Sequence, residues 1–207
     1  MADLSCKKTK IFQIGMTLVE IMVALVVLSI GLLGLAGLQA ATAKYRINTT
    51  ARAASTGLVF DISERMRVNA DAAGPSFIQA GSFSTSSYVI ADDWTTQQAA
   101  SFTITTNCES STCTPAQRAD YDLKTWRQKV RNSFPQGAAM ISGNKRDGVL
   151  LTLMWFDKEF NDGSSARNLI SAPSCSGNLR GMANQTCCPS EAAAPEGVRC
   201  SRFSFVP

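Results

Sequence analysis

A single carboxylate inside an otherwise apolar run constrains this chain more than any other feature. From Met16 to Leu38 almost every side chain is apolar, and between Ile21 and Leu38 only Ser29 is polar. As a helix rising 1.5 Å per residue, that stretch reaches roughly 35 Å, enough to cross the hydrocarbon core of a bilayer. Glu20 lies just inside its start. A charge at the bilayer centre costs about 2.5–3.5 kcal/mol on insertion scales and less near an interface, so a carboxylate without a local partner points to function. The nearest cation in sequence, Lys10, is separated from it by an apolar stretch. The plainer alternative is a glutamate that snorkels to the headgroups of a simple anchor.

The flanks assign an orientation. Residues 1–15, MADLSCKKTKIFQIG, are short and basic, and they close on a glycine rather than on a small-x-small cleavage site. The apolar run is also longer than the 7–15 or so residues of a secretory signal core, so it reads as a membrane-spanning helix. Lys7, Lys8 and Lys10 precede the span and none lies within it. By the positive-inside rule the N-terminus is cytoplasmic, and the remainder faces the periplasm or exterior.

Of the 207 residues, those after the span are polar and rich in Ser, Thr and Asn. Formal charge is +4, and the basic N-terminal segment carries much of the excess, so the rest is nearly balanced and a nucleic-acid role gains little support. The chain has no histidine, which removes Ser-His-Asp and Cys-His nucleophile pairs and the HExxH zinc site. Seven cysteines are present. Cys6 lies in the basic segment, and losing it leaves an even set: Cys108, Cys113, Cys175, Cys187, Cys188 and Cys200. Such a set suits disulfides formed in an oxidising compartment, against the alternative of reduced cytosolic thiols.

The run Gly15-Met16-Thr17-Leu18-Val19-Glu20, followed by IMVALVVLSIGLLGLAGLQ, resembles the class III signal sequence of type IV pilins and pseudopilins. The GLLGLAGLQ tail is most similar to PilV-type minor pilins, as is the later cysteine-then-DxxxW stretch CTPAQRADYDLKTWRQKVRNSFPQG. The resemblance implies cleavage after Gly15 by a prepilin peptidase, N-methylation of the new terminal residue Met16, and Glu20 as fifth residue of the mature chain. A carboxylate so placed can neutralise the α-amine of an adjoining subunit, and breaking such a pair in apolar surroundings costs about 3–5 kcal/mol. Two departures stand out. Met16 replaces the commoner phenylalanine, and Gly31, Gly34 and Gly37 stand where many major pilins carry a proline, as a softened helix or a small-residue packing face.

The expected fold class is α+β: a long N-terminal helix, hydrophobic then amphipathic, packed on an antiparallel sheet with one short extra helix and disulfide-stapled loops. Leader 1–15 precedes helix 16–70, of which 16–38 spans the membrane and polymerises; the extracytoplasmic head is 71–207. Leu58, Ile62 and Met66, with Val59 beside them, give the second half of the helix an apolar face. Asn69 to Pro75 is a stop signal, and residues 76–107 read as strands or ordered loop rather than helix, with patches at Tyr88–Ile90 and Phe102–Ile104. Thr114-Pro115 opens a helix with the stripe Ala119, Leu123, Trp126 and Val130, and early Asp120 and Asp122 suit its dipole. Gly148–Phe156, hairpin-linked through Asn144–Gly148 to 138–141, and an alternating tail at Val198–Phe205 make three or four strands.

Cys108 and Cys113 are read as a local disulfide; four intervening residues and no histidine argue against zinc. Adjacent cysteines rarely bond each other, so Cys187 and Cys188 each reach Cys175 or Cys200, stapling a surface loop over 171–197. No cofactor, metal, catalytic residue or small-molecule substrate is expected.

The function implied by resemblance is a minor pilin that primes or caps a type IV pilus. Its partners are the prepilin peptidase, the other minor pilins, the major pilin and the inner-membrane assembly platform, with a tip adhesin as a further partner. It begins as a single-pass inner-membrane protein with a periplasmic head and ends in the extracellular pilus, at or near the tip. The rivals are a minor pseudopilin of type II secretion, a membrane-anchored extracytoplasmic enzyme, and a DNA-uptake pilin using Arg65, Arg67 and Arg202 on phosphates.

Overall fold

A computed structural model describes residues 15–74 and 86–207, and of residues 43–48 the backbone alone. It divides the chain into two compact units, Met1–Thr49 and Thr50–Pro207. Helix α1, Leu18–Val68, supplies the described part of the first and opens the second. No proline interrupts it.

In the second unit, α1 turns Ala51, Leu58, Ile62 and Met66 into the core, where Ile62 and Met66 are fully buried. Their spacing of roughly one turn is what a single apolar stripe requires. The helix α2, Trp94–Ala99, follows, and then α3, Pro115–Ser133. Thr114 caps α3 in a capping box: its hydroxyl accepts from Gln117 N, and the Gln117 side chain accepts from Thr114 N. The stripe Ala119, Trp126 and Val130 is buried against α1, and Leu123 half-buried beside it.

Strands β1 (Ala138–Asn144), β2 (Gly148–Phe156) and β3 (Val198–Phe205) form an antiparallel sheet in the order β1-β2-β3. The hairpin between β1 and β2 closes on Asn144, whose side-chain oxygen accepts from the amides of Arg146 and Asp147. Gly143 before it has φ +93°, and a Cβ there would meet the Gly148 carbonyl oxygen at 2.1 Å, so only glycine fits. On one face of the sheet Ala139, Ile141, Leu151 and Leu153 pack with the buried stripes of α1 and α3. On the other, Ala138, Met154, Val198 and Cys200 pack with Trp94, Cys188 and Ala192. Because β2 is central, covered on one face throughout and on the other at its Met154 end, it reads as a continuous apolar run rather than an alternation.

Two expectations change. The span 76–107 contains a helix after all: Asp93 caps α2 by accepting from Thr96 N at 2.7 Å. Buried Gln97 then accepts from Ala139 N, capping the edge of β1. Of the two expected strand patches, Tyr88–Ile90 reduces to an isolated bridge between Ile90 and Ile141. Phe102 pairs with nothing as a strand and instead lies between the guanidinium groups of Arg127 and Arg131, 4.5 and 4.4 Å from its ring centre. The stapled span 171–197 likewise holds a short helix α4, Met182–Thr186, and a 3-10 turn at Ser190–Ala192. Pro75 and residues 76–85 lie outside the described residues.

Three disulfides join Cys108 to Cys113, Cys175 to Cys187, and Cys188 to Cys200. The adjacent Cys187 and Cys188 thus take separate partners, and the Cys188–Cys200 bond ties the 171–197 segment directly to β3. Each of these two bonds closes a loop of sequence separation 12, which constrains the unfolded chain by about 3 kcal/mol. Replacing both Cys188 and Cys200 by serine is expected to lower the denaturant midpoint by an amount equivalent to about 3 kcal/mol, read from the circular dichroism of the full chain. An unchanged midpoint would show that β3 does not depend on this bond.

Candidate processing and assembly segment

Gly15, Met16 and Thr17 precede α1 and are exposed. Thr17 starts the helix: its hydroxyl and its carbonyl both accept from Glu20 N, at 3.3 and 3.1 Å. This places Glu20 at the third helical position, where an acid suits the positive end of the helix dipole. Over Leu18–Thr42 the mean hydropathy is 2.7 and none of the best window is buried inside the chain. The hydroxyls of Ser29 and Thr42 donate to the carbonyls of Leu25 and Leu38 one turn back, so neither leaves a polar group unsatisfied. Glu20 is the sole charged residue of that span, and among the described residues nothing bonds its carboxylate. Gly31, Gly34 and Gly37 have no neighbour within 4 Å of where a Cβ would stand. The span Leu18–Thr42 is thus an exposed apolar helix with one charge near its start, four residues after Met16, that nothing pairs among the described residues.

Residues 12–36 match the family model described as the prokaryotic N-terminal methylation motif. The chain carries a type IV pilin-like N-terminus. The pilin-like motif covers Gly15, Met16 and Glu20, and with the apolar helix it fits an inner-membrane-anchored protein of that kind. A pilin-like signal of this class implies processing by a prepilin peptidase and assembly with other pilins in a pilus or pseudopilus. No curated protein and no solved structure matches the chain. Cys6, Lys7, Lys8 and Lys10 lie outside the described residues.

In the second unit, the DxxxW segment does specific structural work. Trp126 Nε1 donates to the Leu58 carbonyl at 2.9 Å, and Asp122 accepts from Arg65 Nη1 at 2.7 Å. Both residues of the motif therefore anchor α3 on α1. Asp122, expected to serve only the helix dipole, is buried and also accepts from the Tyr88 hydroxyl at 2.8 Å. Its position three residues after Ala119 and four before Trp126 put it on the apolar stripe, and an acid on such a stripe was the signal that could have revealed the cluster. Arg65 also donates to Asp61, which takes a further bond from Lys129. Burial opposes the charge on Asp61, but the hydrogen bonds from Lys129 and Arg65 outweigh it and lower its pKa below the usual carboxylate value. Arg65, Arg67 and Arg202, the candidate phosphate contacts, are engaged with Asp61 and Asp122, with Glu64, and with Asn184 respectively.

Burial, followed by the hydrogen bond to Asp122, raises the Tyr88 phenol above its ordinary value, with only partial relief from Asn69. The folded state therefore favours the neutral phenol. Its contribution to stability is fully present below about pH 10, the unfolded value, and is lost as pH rises through the higher folded value. An absorbance titration at the tyrosinate band is expected to show Tyr88 still protonated at about pH 11. Tyr88→Phe should leave the rise at that pH unchanged; a drop by one tyrosine's share would contradict the assignment.

Proposed function

We propose that this chain is a minor pilin of a type IV pilus, of the PilV type, which primes or caps the fibre and is incorporated in it. The observation that carries the reading is Glu20: a lone carboxylate without a partner among the described residues, on an exposed apolar helix, four residues after a Gly15-Met16 junction matched by the methylation motif. Prepilin peptidase cuts after Gly15 on the cytoplasmic face, and Met16 is then N-methylated. Residues 16–38 hold the chain in the inner membrane and later in the fibre, while the head, 71–207, begins in the periplasm. During assembly Glu20 pairs with the α-amine of an adjoining subunit, a contact available only in the oligomer. The other minor pilins, the major pilin and the assembly platform are its partners, with an adhesin at the tip.

The role is structural, with no catalytic residue or cofactor named. A minor pseudopilin of type II secretion is the second reading, since the methylation motif serves both machines. The DxxxW segment, which clamps α3 to α1 through Asp122 and Trp126, favours the pilus by its likeness to PilV-type chains. Sheared surface fibres separate the two readings. The chain is expected in the fibre fraction of wild-type cells and of cells lacking the secretion platform, and absent when the pilus platform is removed. The opposite dependence would place it in the secretion machine.

A further inference from the structure

The face of the sheet turned away from α1 is covered along only part of its length. At the Met154 end it lies under Trp94, Cys188 and Ala192. Toward the β1–β2 hairpin it floors a cleft of about 490 Å³. That volume falls within the roughly 300–1,000 Å³ of ordinary ligand sites. Met140, Thr152 and Arg202 face one another across the three strands, with Leu150 in the next row of that face and Val89 and Glu191 on the walls.

Two polar groups in this cleft have no hydrogen-bond partner among the described residues, and of the two only Arg202 Nε is closed off from solvent. Thr152 is only 2 % exposed, and its hydroxyl has no partner among the described residues. The Arg202 guanidinium is fixed through Nη1, which donates to the carbonyl and side-chain oxygens of Asn184, while its Nε is buried with no acceptor. Glu191 is exposed at the rim and accepts from nothing among the described residues.

We propose that this cleft binds an extended peptide segment of a partner protein, seating one apolar side chain on Met140 and Leu150. The backbone beside that side chain supplies what the walls lack: a carbonyl for the Thr152 hydroxyl, and an amide N–H for the Glu191 carboxylate. This charge pattern selects the occupant. A peptide unit presents acceptor and donor on either side of an apolar group, whereas a fatty acid offers acceptors only and sets its carboxylate near Glu191. The proposal stands whether the chain serves a pilus or a secretion machine.

The test uses the full chain in lipid nanodiscs, labelled at methionine methyl groups with carbon-13. Met140 lines the cleft, and the buried Met66 and Met154 serve as internal references for an intact fold. The probe is the capped tripeptide acetyl-Gly-Leu-Gly-amide, with octanoate as the competing chemistry. The expected result is a saturable shift of the Met140 signal alone, abolished by Ser142→Phe, which fills the cleft from an exposed strand position. Thr152→Val and Glu191→Gln are expected to weaken binding about threefold to tenfold each, as loss of one hydrogen bond implies. Absence of a saturable shift, survival of the shift in Ser142→Phe, or a stronger response to octanoate that Glu191→Gln enhances would each overturn the proposal.

Discussion

Glu20→Val is expected to deplete the chain from assembled fibres by at least about tenfold while leaving it inserted in the membrane and trimmed after Gly15. The direction follows from the state of this carboxylate before assembly. It has no partner among the described residues and stands on a helix whose apolar surface is exposed over Leu18–Thr42. Substitution by valine removes a cost of insertion, so the free subunit should be more comfortable in the bilayer, not less. What is lost appears only on docking, when the α-amine of the adjoining subunit enters apolar surroundings with no counter-charge. Stranding a charge in this way costs about 3–5 kcal/mol. Quantifying the chain in sheared fibres against total membranes reads the effect, and the mass of the membrane-bound variant reports whether trimming persists. Normal incorporation of Glu20→Val would remove Glu20 from the assembly step.

Trp126→Ala should be the most destabilising single truncation in the second unit, costing about 3–5 kcal/mol. Its side chain is fully buried between α1 and α3, and it forms the hydrogen bond to the Leu58 carbonyl. Truncation leaves a cavity beneath both helices and removes that bond. For a domain of this size the loss corresponds to a fall in Tm of roughly 6–20 °C. Trp126→Phe separates the two contributions, because it keeps most of the volume and loses the donor; about 1 kcal/mol is expected from the bond alone. Thermal melts of the full chain followed by near-ultraviolet circular dichroism measure both variants. A Trp126→Ala protein that melts with the wild type would mean that α3 is not anchored through this residue.

The parts legible from sequence were those governed by short-range rules. The long α1 follows from an apolar block without proline, and α3 from a capping threonine, a first-turn proline and a stripe at helical spacing. The strands announce themselves through β-rich runs and an Asx-type turn at Asn144. The parts that were not legible depend on tertiary partners. Helix α2 is short and polar, and it is held because Gln97 is buried against β1 and Arg131 reaches its carbonyls. Tyr88–Ile90 carries a strand pattern but meets an edge with room for only one bridge. Asp122 looked like a dipole residue because its burial is decided by Arg65 and Tyr88, 57 and 34 residues away in sequence. The N-terminal methylation motif shows the converse: residues 12–36, which the family model matches, form one contiguous stretch whose pattern needs no tertiary partner to be read.

The central claim is that this chain enters the prepilin pathway, and the intact mass of the protein from cells with and without an active prepilin peptidase tests it most directly. The expected mass is that of a chain beginning at N-methylated Met16 and lacking six hydrogens for the three disulfides. Without the peptidase, the leader through Gly15 should remain attached. A chain that retains Met1, or one cut beyond the apolar run, in cells with active peptidase would contradict the claim and leave an ordinary anchored or secreted domain.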